Sequence, residues 1–105
     1  MTSMVIVSPV RTAIGAFLGG LKDVPAAHLL AICFRESLKR SGIAKKLIGE
    51  KLIDEVVAGN CCQPSDAANI ARVAALLARL PHEIPARSVQ RNCGSGIEAI
   101  TSAYQ

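Results

Sequence analysis

The chain has 105 residues, of which 50% are apolar and only 3% aromatic, and its formal net charge is +4. This length and apolar content suit one small folded domain and do not indicate a disordered chain. The scarcity of aromatic residues predicts a core of Ala, Val, Leu and Ile, as where helices pack closely on a sheet. Lys and Arg are spread along the chain and base-stacking side chains are few, so the composition argues against nucleic-acid binding.

The cysteines and the lengths of the apolar runs indicate in which cellular compartment the chain is expected. The sequence shows no secretory leader, so we expect free thiols in a reducing, cytoplasmic compartment. Adjacent Cys61 and Cys62 lack the two-residue spacing of structural zinc sites, and no metal is expected. The longest apolar runs fall far short of the about 20 residues that cross a bilayer, so we expect no membrane span.

The first half of the chain predicts a strand followed by a helix. Residues 4–7 are a mostly β-branched run closed by Ser8 and Pro9, which predicts a buried strand. Pro25 suits the first turn of a helix and Gly42 suits its end. Cys33 is interpreted as a core residue and His28 as a surface or packing residue. The helix should bury one apolar stripe: Ala27, Leu30, Ala31, Phe34 and Leu38.

The second half predicts a strand, a helix and another strand. Residues 53–58 should form a strand that ends at Gly59, and residues 60–66 a loop. Small and apolar residues over 68–80 predict a helix that approaches its neighbours closely, with Pro81 stopping it. Pro85 then suits the first residue of another strand.

That last strand leads to Cys93 at a sharp turn into a helix. Asn92 is predicted to cap the helix, and Gly94 and Gly96 to allow the turn. The positive end of the helix dipole favours the thiolate, and the first N–H groups can stabilise an oxygen that becomes negative when a carbonyl is attacked. Taken alone, Cys-Gly-Ser-Gly is also typical of a small buried cysteine in a turn.

Four separated blocks in register resemble the N-terminal portion of the thiolases. They are residues 10–15, Gly59-Asn60 with residues 68–76, Leu80-Pro81, and residues 92–97. The resemblance covers essentially the whole chain and implies an α/β fold, the first part of a layered α-β-α-β-α arrangement. It also implies that residues 1–105 are an incomplete N-terminal thiolase domain, without the loop domain and the C-terminal thiolase half. The chain departs from the common family pattern around Asn69, where Ala67, Ala68 and Ile70 stand for the usual Gly, Gln and Pro.

The resemblance implies that Cys93 is the nucleophile that carries the acyl group. Substrates would be acetyl-CoA, acetoacetyl-CoA or another 3-ketoacyl-CoA, with no permanently bound cofactor and no metal. Structural roles are implied for Arg11, Thr12 and Asn69, and for Arg72 either a role at helix ends or the subunit interface or a solvated side chain. A homodimer or dimer of dimers is implied for the full-length enzyme, with residues 86–90 in contact across the dimer.

The chain alone is expected not to turn over substrate. In thiolases, a Gly-His-Pro histidine, a second cysteine in a Cys-x-Gly segment and an Asn-Glu-Ala-Phe segment complete the site, and none of these segments is present here. His82 matches neither active-site histidine of the family. Two alternatives remain: a noncatalytic thiolase-like fragment for dimerisation or acyl-CoA binding, and a ketoacyl-synthase-like condensing enzyme. The sequence does not distinguish biosynthetic from degradative use.

Overall fold

The computed structural model describes residues 3–43 and 52–105. Five elements follow in chain order: α1 (Ala26–Ser41), β1 (Val56–Gly59), α2 (Ile70–Leu77), β2 (Ala86–Val89) and α3 (Ser95–Tyr104). β1 and β2 pair in parallel, from Val56 opposite Ala86 to Gly59 opposite Val89. α2 makes the crossover that parallel strands require. The expected α/β class is confirmed.

Helix α1 has the predicted boundaries. Pro25 precedes its first residue, and Gly42 ends it in the left-handed conformation with φ 78°. The Gly42 N–H donates to Lys39 O at 3.3 Å. Lys39 and Arg40 lie in the last turn, where cations complement the helix dipole. The start signal at Pro25 and the termination signal at Gly42, both predicted from the sequence, therefore operate in the fold.

The core lies where α1 packs on α2 and α2 packs against the two strands, and small side chains dominate it. On α2, Ala71 and Ala74 are fully buried. Such small residues let two helix backbones approach closely, as the composition predicted. Arg35 adds a polar link, because its Nη1 donates to Leu77 O at 3.0 Å across the α1–α2 contact. The buried apolar residues are Ala27, Ala31, Val56, Ala58, Ala67, Ile70, Ala71, Ala74, Ala75, Ala78, Leu80 and Ile84.

Helix α2 is shorter than predicted, ending at Leu77 rather than Leu80. Arg79 adopts a left-handed φ of 61°. Its N–H donates to Leu76 O, and the Leu80 N–H donates to Ala75 O, both at 3.0 Å. This pair of bonds around a left-handed residue is a Schellman motif, which satisfies the last carbonyls. The helix is therefore ended by Arg79 and not by Pro81.

Strand β1 also starts later than predicted, at Val56 rather than Ile53. Its first ladder bond runs from Val56 N to Pro85 O at 2.9 Å. The strand ends at Gly59, as predicted. β2 is also only four residues long, so the two strands pair over four residues each.

The predicted buried strand at residues 4–7 is wrong. These residues form no strand, and all four are exposed. Among the residues that the structure describes, the sheet has only β1 and β2, and residues 4–7 pair with neither. β-branched side chains favour a strand only where a neighbouring strand and a packing surface exist. Ser37 on α1 holds the end of the segment, with its Oγ donating to Ser8 O at 2.9 Å.

Candidate functional site

Two loops meet at the carboxyl edge of the two-stranded sheet. Because β1 and β2 are parallel, the loop after Gly59 and the loop after Val89 emerge at the same edge. The Asn60 N–H donates to Val89 O at 3.1 Å. Gln90 Nε2 then donates to Cys61 O at 3.4 Å. The segment that carries Cys93 is thus held beside the loop that carries the adjacent cysteines, at the edge where parallel sheets place their sites.

The backbone on both sides of Cys93 is closed by local hydrogen bonds. The Gly94 N–H donates to Arg91 O at 2.9 Å. The Ser95 hydroxyl accepts from the Arg91 N–H at 2.9 Å and donates to Asn92 O at 2.7 Å. Ser95 is buried, and it is the one polar residue buried among those described. Its hydroxyl satisfies two backbone groups and thereby fixes the turn.

The predicted cap at Asn92 is wrong. Gly94 is the N-cap of α3, and no side chain caps the helix. Asn92 instead makes the turn itself, with a left-handed φ of 49°, and its N–H donates to Gln90 Oε1 at 3.2 Å. Asn tolerates this conformation better than most residues. The turn attributed to the glycines therefore belongs to Asn92, since Gly94 has a negative φ of −91°.

Cys93 itself is exposed and its thiol is free. It stands one residue before the N-cap of the ten-residue helix α3, whose first turn has no side-chain cap. A Cβ placed on Gly96 would meet no atom within 4 Å, so the space beside this first turn is open. The structure therefore presents an accessible thiol one residue before the N-cap of a helix whose first turn has no side-chain cap, which is where a developing negative charge is favoured.

Gly59 has a role that the sequence did not reveal. A Cβ on Gly59 would overlap the carbonyl oxygen of Ser95 and lie 2.9 Å from Gly96 N. The end of β1 is therefore pressed directly against the start of α3. The sequence indicated Gly59 only as the end of a strand, because the close approach is a tertiary contact. This contact sets the position of the Cys93 turn relative to the sheet.

Asn69 and Arg72 act as structural links between α2 and the strand that leads to Cys93. Asn69 Oδ1 accepts from the Arg72 N–H at 3.3 Å and from Ser88 Oγ at 2.9 Å. Asn69 Nδ2 donates to Ala86 O at 3.0 Å, and Arg72 Nη1 donates to Ile84 O at 3.0 Å. Asn69 thus contacts β2 and Arg72 the segment just before it, which agrees with the expected structural roles, and Arg72 is not simply solvated.

Arg11 and Thr12 make local contacts. Arg11 Nη1 donates to Thr12 O at 3.0 Å, and Thr12 Oγ1 donates to Ala13 O at 3.1 Å. Within the described ranges, neither side chain is hydrogen-bonded beyond its neighbour in sequence. No long-range hydrogen bond among the described residues therefore supports their expected structural role.

The remaining cysteines and histidines differ in exposure. Cys33 is half-buried on α1, whereas Cys61 and Cys62 are exposed. Desolvation, followed by the hydrogen bond and charge interaction with Cys62, raises the pKa of the Cys61 thiol. His28 is exposed, as is His82, whose Nε2 lies 3.3 Å from Glu83 Oε1.

Over residues 3–43 and 52–105, no group of three His, Cys, Asp or Glu side chains is placed to hold a metal. None of the described helices is long and apolar enough to cross a membrane.

Comparisons with known proteins give a consistent result. A family model described as the thiolase N-terminal domain matches residues 4–105. The chain is 41% identical over its full length to a probable acetyl-CoA acyltransferase of Staphylococcus aureus (strain NCTC 8325 / PS 47), and covers 25% of that protein. Identity to the same-named protein of strain bovine RF122 / ET3-1 is 39%, also over 25% of its length.

A solved structure agrees with the sequence match. The crystal structure of the Bacillus anthracis acetyl-CoA acetyltransferase matches with a TM-score of 0.82 and 39% identity. The match covers 93% of this chain and 24% of that one. The chain therefore spans about a quarter of the length of the relatives that it matches.

Proposed function

Since this chain belongs to the thiolase family, we propose that it supplies the acyl-carrying cysteine of a thiolase-type acyltransferase that acts on coenzyme A thioesters. One observation supports this most directly: an exposed free thiol, Cys93, stands in a closed turn beside the uncapped start of α3. The names of the relatives, acetyl-CoA acyltransferase and acetyl-CoA acetyltransferase, agree with substrates such as acetyl-CoA, acetoacetyl-CoA or other 3-ketoacyl-CoA esters.

The proposed first step is a thioester exchange. The Cys93 sulfur attacks the carbonyl carbon of the acyl-CoA, and a new C–S bond forms as the C–S bond to coenzyme A breaks. Coenzyme A leaves as a thiol and takes the proton that Cys93 gave up. The carbonyl oxygen is negative in between. Because the Gly94 and Ser95 N–H groups already donate to Arg91 O and Asn92 O, the next N–H groups of α3, those of Gly96 and Ile97, are the donors proposed to stabilise it. No metal or redox cofactor takes part in this exchange.

The second step removes the acyl group from Cys93. In the degradative direction, the thiol of coenzyme A takes the acyl group; in the biosynthetic direction, a second acetyl-CoA deprotonated at its methyl carbon attacks it. Both need groups that accept and return protons. The two histidines are not evident proton-transfer groups for this step, because His28 is exposed on α1 and His82 lies beside Glu83. We therefore propose that the 105 residues alone do not complete a catalytic cycle.

Acetylation of the purified chain tests the first step. After incubation with acetyl-CoA, intact mass and peptide mapping should show one acetyl group on Cys93, and Cys93→Ser should lose it. Cys62→Ser is the matched control, since it removes another exposed thiol at the same edge of the sheet and should leave labelling unchanged. Cys61 is a slow internal reference, because its raised pKa leaves little thiolate at pH 7. Equal labelling of Cys62 and Cys93 would contradict the proposed role.

A turnover assay tests the second part separately. The chain with acetoacetyl-CoA and coenzyme A should give no sustained cleavage. Sustained cleavage that is abolished by Cys93→Ser would show that the 105 residues are sufficient for a complete catalytic cycle. That result would contradict the proposed inactivity of the chain, but it would agree with the proposed role of Cys93.

The expected dimer contact stays a proposal. In the part of the sheet that the structure describes, β2 pairs with β1 on one side, so its other edge can pair with the same strand of a second subunit over residues 86–90. The thiolase match does not favour the ketoacyl-synthase alternative, and no observation favours the noncatalytic one.

A further inference from the structure

Two thiols that take no part in the proposed reaction lie side by side at the carboxyl edge of the sheet. Cys61 and Cys62 are adjacent in the chain, and both are exposed and free. Adjacent side chains of an extended segment point to opposite faces, but here the chain bends and a hydrogen bond joins the two thiols. The two residues therefore form one preformed dithiol.

The loop holds this dithiol through its backbone and leaves the sulfur atoms available. Just before the pair, the Asn60 N–H donates to Val89 O at 3.1 Å. Within the pair, Cys61 O accepts from Gln90 Nε2 at 3.4 Å. Both bonds tie the loop to β2 and the residue after it, so a ligand at the two sulfurs would bind to a segment that is already positioned.

The number of donors decides which kind of ligand fits. A structural zinc ion takes four protein ligands. Over the two described stretches of the chain, no third His, Cys, Asp or Glu side chain joins Cys61 and Cys62 in a group that could hold a metal ion. The site therefore suits a ligand that needs only two soft sulfur donors.

A disulfide within the pair would be strained. Adjacent Cα atoms lie about 3.8 Å apart across a trans peptide bond, whereas relaxed disulfides join Cα atoms that are about 4.4–6.8 Å apart. Such strain makes a disulfide easier to reduce. A single atom bonded to both sulfurs holds them farther apart than an S–S bond does and avoids this constraint. The pair is thus better suited to a bridging atom than to internal oxidation.

The charge on the pair favours a ligand that replaces both thiol protons by covalent bonds. Desolvation, followed by the hydrogen bond and charge interaction with Cys62, raises the pKa of the Cys61 thiol. Two thiolates side by side repel each other, so the pair resists losing both protons together. Trivalent arsenic forms covalent bonds to sulfur while the thiol protons leave as water, and no adjacent negative charges accumulate.

We propose that Cys61 and Cys62 form a binding site for trivalent arsenicals in which one arsenic atom bonds both sulfurs. With phenylarsine oxide, two S–H bonds and the arsenic–oxygen bond break, two As–S bonds form, and the oxygen leaves as water with both protons. Arsenic stays trivalent and neither sulfur is oxidised. The inference depends neither on the proposed reaction of Cys93 nor on membership of the family.

Intact-mass measurement of the reduced chain with one equivalent of phenylarsine oxide tests the proposal. One adduct should form, with the mass of the reagent less one water, and peptide mapping should place it on residues 61 and 62. Cys61→Ser and Cys62→Ser should each weaken binding by on the order of a hundredfold, because the second As–S bond is intramolecular. Cys33→Ser is the control, since it removes a half-buried thiol of α1, and it should leave the affinity unchanged.

Protection from iodoacetamide provides a second measurement that needs no substitution. The arsenical should protect Cys61 and Cys62 from alkylation, while Cys93 remains reactive. Loss of the adduct in Cys93→Ser would overturn the proposal, because arsenic would then bridge Cys93 and one of the pair. Unchanged affinity in Cys62→Ser would overturn it as well, since a single thiol would then account for binding. Acetylation of Cys93 by acetyl-CoA is measured separately, so the two proposals can fail independently.

Discussion

The α1–α2 contact and residues 4–7 are both built mainly from apolar residues, but they stand at opposite extremes of packing. Ala71 and Ala74 on α2 have no exposed surface, whereas Val5 and Ile6 are more than three-quarters exposed. The difference lies in the partners, because α2 contacts both α1 and the strands, whereas residues 4–7 pair with neither of the two strands that the structure describes. Apolar content therefore indicates which segments need burial, and the fold decides which of them obtain it within these 105 residues.

The largest expected effect comes from a matched pair of isoleucine-to-alanine substitutions, one on each side of this contrast. Ile70→Ala removes a buried side chain at the start of α2 and should lower the free energy of unfolding by about 2–5 kcal/mol. Ile6→Ala makes the same chemical change at an exposed residue and should alter that free energy by less than about 0.5 kcal/mol. Urea denaturation of the isolated chain measures both. Similar losses in the two variants would show that residues 4–7 are packed in solution and would remove the contrast.

A smaller effect is expected where β1 touches α3, the contact that ties the well-packed core to the Cys93 turn. Gly59→Ala should cost about 1–3 kcal/mol or more, because the added methyl group overlaps the Ser95 carbonyl. Gly20→Ala is the control, since a Cβ there meets no atom within 4 Å. Urea denaturation gives the stability, and the alkylation rate of Cys93 reports the turn. A Gly59→Ala chain as stable as Gly20→Ala would mean that α3 does not lie against β1.

The smallest of these effects is expected at the polar link between α2 and β2. Asn69→Ala removes the cap and the bonds to Ala86 and Ser88, and should cost about 1–2 kcal/mol. Asn69→Asp keeps the accepting oxygen and loses only the donor to Ala86 O, so thermal denaturation should show a smaller loss. Equal losses in the two variants would indicate that capping of α2 contributes little.

The sequence predicted those elements whose signals are local. Pro25 and Gly42 bound α1 because both act through their own backbone geometry. The end of α2 was missed because a non-glycine residue, Arg79, adopts the left-handed conformation that usually indicates glycine. The strand at residues 4–7 was wrong because a strand needs a neighbour, which no local pattern supplies.

The same division applies to the candidate site. The junction of strand, turn and helix at Cys93 followed from local residue types, and the structure places it there. The parts that depend on other segments were not predicted: the contact of Gly59 with α3, and the burial of the Ser95 hydroxyl between two backbone groups. Asn92 was assigned to capping because the sequence does not show which of its two common uses, cap or left-handed turn, applies.

The turn around Cys93 also bears on when this part of the chain becomes ordered. Its hydrogen bonds join residues no more than four positions apart, from Arg91 to Ser95. Closing so short a loop costs little chain entropy, and the cost is met when the segment folds rather than when substrate arrives. The Cys93 turn can therefore be in place before any ligand binds, so that binding does not have to order it.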